Sequence, residues 1–308
     1  MQTVRKWAGT WIRWTGQYLV APLVIAFGRR PEGEEMPATV HMLVSSKTWR
    51  MGLLALLSFE YFTGRRWKLV IHEDGTVSES ARKSIEAKLP GCRFVSRRES
   101  DEVVSAHLAR HPACLRNRGK HNLFLKFFDV GPYLTDERFI VLDSDLFFFQ
   151  RPQRILDWAE QKESACYYNQ DTKEVYALPR DQIREATGVD LWERFNSGLV
   201  LMMKEAVSLD RSELLLERCE SIAHHPQFFE QTLYALNASA FGAGGPLPPE
   251  YEISWTLLRR PGSICRHYVG PFKFDNLYME GPITLFLHMT LPSLFHRKQG
   301  GKPSMPKI

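Results

Sequence analysis

Three hundred and eight residues, 44% hydrophobic and 24% charged, with 20 Gly and 18 Pro, exclude a disordered, collagen-like or low-complexity chain and suffice for a sizeable core. Forty Lys and Arg against thirty-five Asp and Glu leave a net charge of +5, which admits an anionic partner without naming one. Five cysteines, odd in number, scattered and without a C-x-x-C pair, indicate neither a disulfide framework nor a zinc knuckle and predict a reducing, cytoplasmic setting.

Residues 1–37 differ from the rest. Trp7, Trp11, Trp14 and Tyr18 recur at helical spacing among Arg5, Lys6 and Arg13, which predicts an amphipathic helical segment. The apolar run from Tyr18 to Phe27 is about 15 Å long as a helix against a hydrocarbon core of about 30 Å, and Pro22 interrupts it, so no bilayer span is expected. Gly28, Arg29 and Arg30 follow where a signal peptide would need a small-residue cleavage site. Two readings stay open: a peripheral anchor on a membrane surface, or a helix packed on the core.

Thr39 to Val44 reads as a buried strand, Gly52 to Phe62 as an apolar helix and Trp67 to His72 as a second strand, stopped by the Glu73-Asp74-Gly75 turn. Ser78 to Leu89 has the charge spread of a solvated helix, and Cys92 to Val95 is a short third strand beyond the Pro90-Gly91 break. Alternation of this kind predicts an α/β fold with a mostly parallel central sheet flanked by helices. Lys120 to Val130 looks helical, Phe139 to Leu142 is a strand covered on both faces, and Phe195 to Met203 is a further strand. A helix from about Ser212 to Ala223 and a Gly/Pro-rich loop from Gly242 to Pro249 follow, and residues 295–308 read as a basic, flexible tail.

Cations are densest at Arg110, Arg116, Arg118, Lys120 and Lys126, with His107, His111 and His121 nearby. No aromatic platform or nucleic-acid motif accompanies them, so nucleic acid is not the expected partner; the stretch reads as a solvated face or as a patch toward a pyrophosphate or an anionic acceptor.

The strand Phe139 to Leu142 runs directly into Asp143-Ser144-Asp145. Ligands of an open α/β sheet sit outside the carboxyl ends of its strands, which is where these acids fall. Two carboxylates leaving a buried strand need a neutralising cation or donors, and carboxylate oxygens favour a hard divalent ion such as Mg²⁺ or Mn²⁺. A plain Asp-capped turn is the alternative. A dehalogenase-type phosphatase is disfavoured, because Leu146-Phe147-Phe148-Phe149 stands where that class places a small hydroxyl residue.

Four segments, in order, carry a resemblance. They are Ile140-Val141-Leu142-Asp143-Ser144-Asp145-Leu146, the strand Phe195-Asn196-Ser197-Gly198-Leu199, the pair Glu230-Gln231 with Asn237, and His267-Tyr268-Val269-Gly270-Pro271-Phe272-Lys273. Together they resemble the GT-A glycosyltransferases, most closely family 8 with its glycogenin and galactosyltransferase-like members. The resemblance implies a single transferase domain over residues 38–294 and a nucleotide-diphospho-sugar donor, commonly a UDP-sugar. It implies a Mn²⁺ or Mg²⁺ cofactor held by Asp143, Asp145 and His267, with His288 as the competing imidazole. Ser45, Lys126, Ser144, Gly270 and Lys273 would line the donor, and Asn196, Glu230 and Gln231 the sugar. Val44-Ser45-Ser46-Lys47 departs from the family's aspartate and tyrosine for the base, which leaves the base open. The implied reaction is transfer of a hexose to an acceptor hydroxyl, with retention of configuration; the acceptor, whether glycan, lipid-linked sugar or protein, is open. Two rivals stand beside it, a sugar-nucleotide nucleotidyltransferase and a non-catalytic binding protein on a degenerate transferase fold.

Overall fold

A computed structural model describes residues 10–160, 163–256, 258–270 and 273–291. Arg5, Lys6 and Trp7, the basic tail, and Pro271 and Phe272 of the last motif lie outside the described residues.

Strands β1 (Glu35–Val44), β2 (Arg66–Glu73) and β3 (Arg93–Val95) pair in parallel, with β1 facing β2 from Thr39 opposite Lys68 to Val44 opposite Glu73. Their crossovers are α2 (Trp49–Thr63), buried along most of its length, and α3 (Glu79–Lys88), which starts where the Ser78 hydroxyl accepts from the Ala81 amide. β4 (Arg138–Leu142) joins β1 in parallel. The longest covered strand, β7 (Phe195–Met203), runs antiparallel to both β4 and β6 (Cys166–Gln170), and β8 (Gly244–Pro246) closes the edge. The order is β3-β2-β1-β4-β7-β6-β8. Every residue of β4 and β7 is buried, which is why both read in the sequence as unbroken apolar runs rather than alternations.

A second sheet of three strands, β5 (Leu146–Phe148), β10 (Cys265–Tyr268) and β9 (Tyr251–Ser254), lies beyond the Asp143–Asp145 turn. It packs on α2: the Phe148 amide donates to the Ser58 hydroxyl, and the Phe59 and Phe148 rings meet at 4.9 Å. The remaining described helices are α4 (Arg97–His107), α5 (Pro112–Arg118), α6 (Leu125–Phe128), α7 (Gln153–Glu160), α8 (Arg180–Thr187), α9 (Leu209–Cys219), α10 (Phe229–Phe241) and α11 (Lys273–Thr290).

Three local expectations shift. The segment expected as one helix from Lys120 to Val130 is a 3₁₀ turn, Asn122–Phe124, followed by the single turn of α6. Phe124, Phe127 and Phe128 are all buried, and seating three adjacent rings in the core sets the path of this stretch. α9 starts earlier than expected because Ser208, not a residue further on, caps it through the Arg211 amide. Gly244–Pro246 in the expected loop pairs with Cys166–Tyr168 as an edge strand, where proline's missing N–H costs no ladder bond.

The N-terminal segment forms α1, helical over residues 10–27 with a π turn at Gly16–Val20. Gly16, Ala21 and Val24 are its buried residues. At Gly16 a Cβ would overlap the Tyr278 carbonyl, so α1 approaches α11 more closely than any side chain would permit. The cationic stretch is less solvated than its composition implies. Arg118 is buried against Asp129 at 2.6 Å, Arg116 and Lys120 both meet Glu220, and Lys126 belongs to the site. Among the described residues no helix is long and apolar enough to cross a membrane.

Candidate metal and nucleotide-sugar site

Backbone register places the two acids. The Asp143 amide donates to the Gly198 carbonyl at 2.7 Å, extending the β4–β7 ladder by one bond, and the Asp145 carbonyl accepts from the Tyr268 amide at 2.9 Å. Asp143 is therefore tied to the large sheet and Asp145 to the small one, with Ser144 at the turn between them. The β5–β10 pairing sets His267 opposite Leu146, one residue past Asp145. Its Nε2 lies 3.2 Å from Asp145 Oδ1 and 3.8 Å from Asp143 Oδ2. One ligand atom from each of Asp143, Asp145 and His267 falls within 4.8 Å of the others. The rival imidazole, His288, lies on α11 against the Tyr61 and Phe62 rings, at 6.4 and 5.1 Å.

The His267 ring has a defined role for each nitrogen. Its Nδ1 is 3.1 Å from Asn196 Oδ1, which also accepts from the Gly198 amide at 2.9 Å, while Asn196 Nδ2 donates to Asp171 at 2.9 Å. Asp171 thus fixes the amide's orientation, the amide oxygen takes the Nδ1 proton, and Nε2 is left facing the carboxylates. This is the supporting arrangement metal-bound histidines commonly have. Gly198 is required by the same packing, since a Cβ there would overlap the His267 ring. Arg266 and Tyr268, on either side of His267, both bond Glu280 of α11, at 3.0 and 2.8 Å, and so clamp β10 in place.

Two lysines neutralise the acids. Lys273, first residue of α11, donates to Asp145 Oδ2 at 2.7 Å, and Lys126 donates to Asp143 Oδ1 at 2.8 Å and to the Ser197 hydroxyl at 3.1 Å. Lys126 also lies 3.1 Å from Glu230. Burial opposes its charge, but Asp143 and Glu230 outweigh burial and hold the ammonium above the usual lysine range. Burial likewise raises Asp145, yet His267 and Lys273 overcome it and keep the carboxyl well below its ordinary value. Glu230 is pushed up to about 7, by burial first and then by Asp143, with Lys126 pulling the other way. His267 and Lys273 are both held high, because Asp145 outweighs their burial.

The donor set fits a divalent ion: two carboxylate oxygens and an oriented imidazole nitrogen, facing one point, suit Mn²⁺ better than Mg²⁺. Gly270 holds φ +82, and the place a Cβ would take is filled by the exposed Trp255 ring, so only glycine fits beside that ring. Ser45 bonds Thr48 at 3.1 Å just past β1, at the carboxyl edge of the sheet. Gln231 is buried with both ends of its amide engaged, the oxygen by the Ser197 amide at 3.2 Å and the nitrogen by the Val175 carbonyl at 2.6 Å. It shapes the floor beneath Ser197 in this state.

Asp171 is the residue that sequence reasoning missed. It directly follows β6, so the rule that placed Asp143 would have found it had that strand been recognised. It also lines a cleft of about 460 Å³ with Arg194, Tyr251, Ile253, Arg260 and the prolines 246, 248 and 249. That volume is in the usual range for a small-ligand site.

No family model and no curated protein matches the sequence. Solved structures do match. The galactosyltransferase LgtC, in complex with donor and acceptor sugar analogs, is 14% identical with a TM-score of 0.52, covering 84% of this chain and 99% of its own. Mouse xyloside xylosyltransferase 1 is 15% identical at a TM-score of 0.50, over 75% of this chain and 96% of its own. The glycosyltransferase GlyE of Streptococcus pneumoniae is 11% identical at 0.51, over 86% of this chain and 64% of its own. The seven-stranded sheet with its flanking helices is therefore the GT-A fold, and the structures similar to it are family 8-like glycosyltransferases.

Proposed function

We propose that this chain is a metal-dependent glycosyltransferase that moves a hexose from a nucleotide-diphospho-sugar, a UDP-sugar, to an acceptor hydroxyl with retention of configuration. One observation carries the reading: Asp143, Asp145 and His267 converge at the carboxyl edge of a GT-A sheet with two lysines against them. In the proposed reaction Asp143, Asp145 and His267 hold Mn²⁺ or Mg²⁺, which when bound supplies positive charge to the pyrophosphate leaving group. Lys273 gives up Asp145 to meet a phosphate oxygen, adding a second cation where negative charge develops. Asp171 and Asn196 hold His267 in the competent tautomer. Ser45 and Ser144 border the nucleotide, Gly270 with Trp255 covers it, and Lys126 holds Asp143 and Glu230 together. The cleft lined by Asp171 receives the acceptor, within two hydrogen bonds of His267.

The transferase domain in this reading is residues 38–294, with residues 1–37 and 295–308 as appendages to it. Titrating Mn²⁺ and Mg²⁺ against a panel of nucleotide sugars, with slow donor hydrolysis as readout, tests the proposal. Metal-dependent release of the nucleoside diphosphate that Asp145→Asn abolishes is the expected result. Pyrophosphate release from a nucleoside triphosphate and a sugar phosphate would favour the nucleotidyltransferase, and donor binding without turnover in any metal would favour the binding protein.

A further inference from the structure

α1 has one face against the protein and the other in solvent. Gly16, Ala21 and Val24 pack inward, while Trp11, Trp14, Tyr18 and Leu19 are 64%, 53%, 58% and 55% exposed. Trp11, Trp14 and Tyr18 recur at three- and four-residue steps and form one outward stripe, with Leu19 beside Tyr18, and Phe27 is exposed further along the helix at 67%. The neighbouring α11 adds Phe274 and Leu287 to the exposed apolar surface. A core-packing helix would turn its largest apolar side chains inward. Here the small residues pack and the indoles face out.

Charge is distributed to match. Residues 1–31 and 292–308 hold nine of the forty Lys and Arg and none of the thirty-five Asp and Glu, so the 260 residues between them carry an acid excess of four. The whole positive balance of the chain therefore belongs to α1, its flanks and the sequence beyond α11. Within the described part Arg13 reaches Asp275 at 2.8 Å, and Arg30 is consumed by the buried Glu60 at 2.6 Å. Arg29 is exposed.

We propose that α1 is an interfacial anchor, its exposed Trp11, Trp14, Tyr18 and Leu19 lying in the headgroup region of an anionic lipid bilayer, a surface whose negative charge complements a segment that carries Arg13, Arg29 and Arg30 and no acid. Indole and phenol rings favour that boundary, because each has an apolar body and a hydrogen-bonding tip. Basic segments beside it gain from the surface potential of anionic lipid. A second copy of the chain is the poorer occupant, since its terminal sequences carry nine cations and no acid to meet those of the first. The anchor is tied to the catalytic edge: Arg13 holds Asp275 two residues beyond Lys273, and Gly16 seats on Tyr278 one turn further along α11. Docking would thus set the mouth of the site at a fixed height above the lipid. The inference stands independently of the transferase reading.

The test is co-sedimentation of the full chain with vesicles of phosphatidylcholine, with and without phosphatidylglycerol, for the unaltered protein and for the triple variant Trp11→Ala, Trp14→Ala, Tyr18→Ala. Expected is pelleting with the anionic vesicles, weakened by salt and by removing the anionic lipid, and a partition coefficient at least about tenfold lower in the triple variant. Retention of the full chain in the supernatant with anionic vesicles would overturn the proposal. So would equal pelleting of the triple variant, or a dimer by light scattering that the triple variant dissociates while vesicles bind neither form. Equal melting temperatures confirm that the exposed substitutions leave the fold intact; should they differ, Trp11→Ala and Trp14→Ala read singly give the same comparison.

Discussion

His41 and His72, on adjacent strands β1 and β2, are both almost wholly buried, and their rings stack with Nδ1 of His41 3.1 Å from Nε2 of His72. One hydrogen serves that contact, and the outer nitrogens, His41 Nε2 and His72 Nδ1, have no protein partner. Burial drives His72 from 6.5 down to about 4, with Asp129 and Glu99 pulling it back and Arg93 pushing it further. His41 is lowered too, by burial and then by His72. The unfolded chain takes up protons below about pH 6.5 while the folded pair refuses them, so stability is intact above that pH and falls as pH drops toward 4. At about 1.4 kcal/mol per unit, His72 alone removes about 3 kcal/mol by pH 4, a large share of a domain's total. Urea unfolding of the unaltered chain and of His72→Phe, which keeps a ring against Tyr133 and His41, isolates this effect from the carboxylates common to both. Between about pH 6.5 and pH 4.5 the difference between the two should change by about one proton's slope, the unaltered chain losing more. A difference that stays flat with pH would refute the neutral-pair account.

Other expectations concern the site. Asn196→Ala leaves His267 without its orienting acceptor and should weaken Mn²⁺ binding, read by calorimetry, by about 10- to 100-fold, with the fold retained. Gly198→Ala forces the His267 ring aside and should also lower metal affinity; an unchanged binding isotherm would show that the ring does not contribute to the ion site. Lys126→Met takes the shared cation from buried Glu230 and partly exposed Asp143 and leaves their hydrogen bonds unmade, which should cost about 1–3 kcal/mol in chemical denaturation. Lys273→Ala should reduce donor hydrolysis more through turnover than through metal affinity, measured as separate titrations of metal and donor.

How much of this was legible in the sequence follows from how local each signal is. The strands of the first half, the Asp143-Ser144-Asp145 turn and β7 were read correctly because each is a short apolar run whose burial is written into consecutive residues. His267 and Lys273 have no such signal of their own. They join the acids only through the pairing of β10 with β5, more than a hundred positions away, and the motif resemblance supplied what local patterning does not. Composition left Lys126 on either a solvated face or a patch toward a pyrophosphate, and the resemblance put it at the donor; β7 and α10 bring Ser197 and Glu230 onto it, a meeting of three segments that no window of sequence contains. Asp171 went unseen because the polar residues of β6, Cys166–Gln170, obscure its identity as a strand between β7 and β8.

The N-terminal helix shows the same limit from the other side. Periodicity identified a face rich in tryptophan and tyrosine, and hydrophobicity by itself would turn that face toward the core. Close helix contact instead selects for small volume, so Gly16, Ala21 and Val24 meet the protein and the aromatic stripe is displaced outward. Packing of this helix therefore does not exclude the surface anchor proposed above. One helix has a packing face built from its smallest residues and a second, larger apolar face still exposed, and the first holds the second in a fixed relation to Lys273 and the acids.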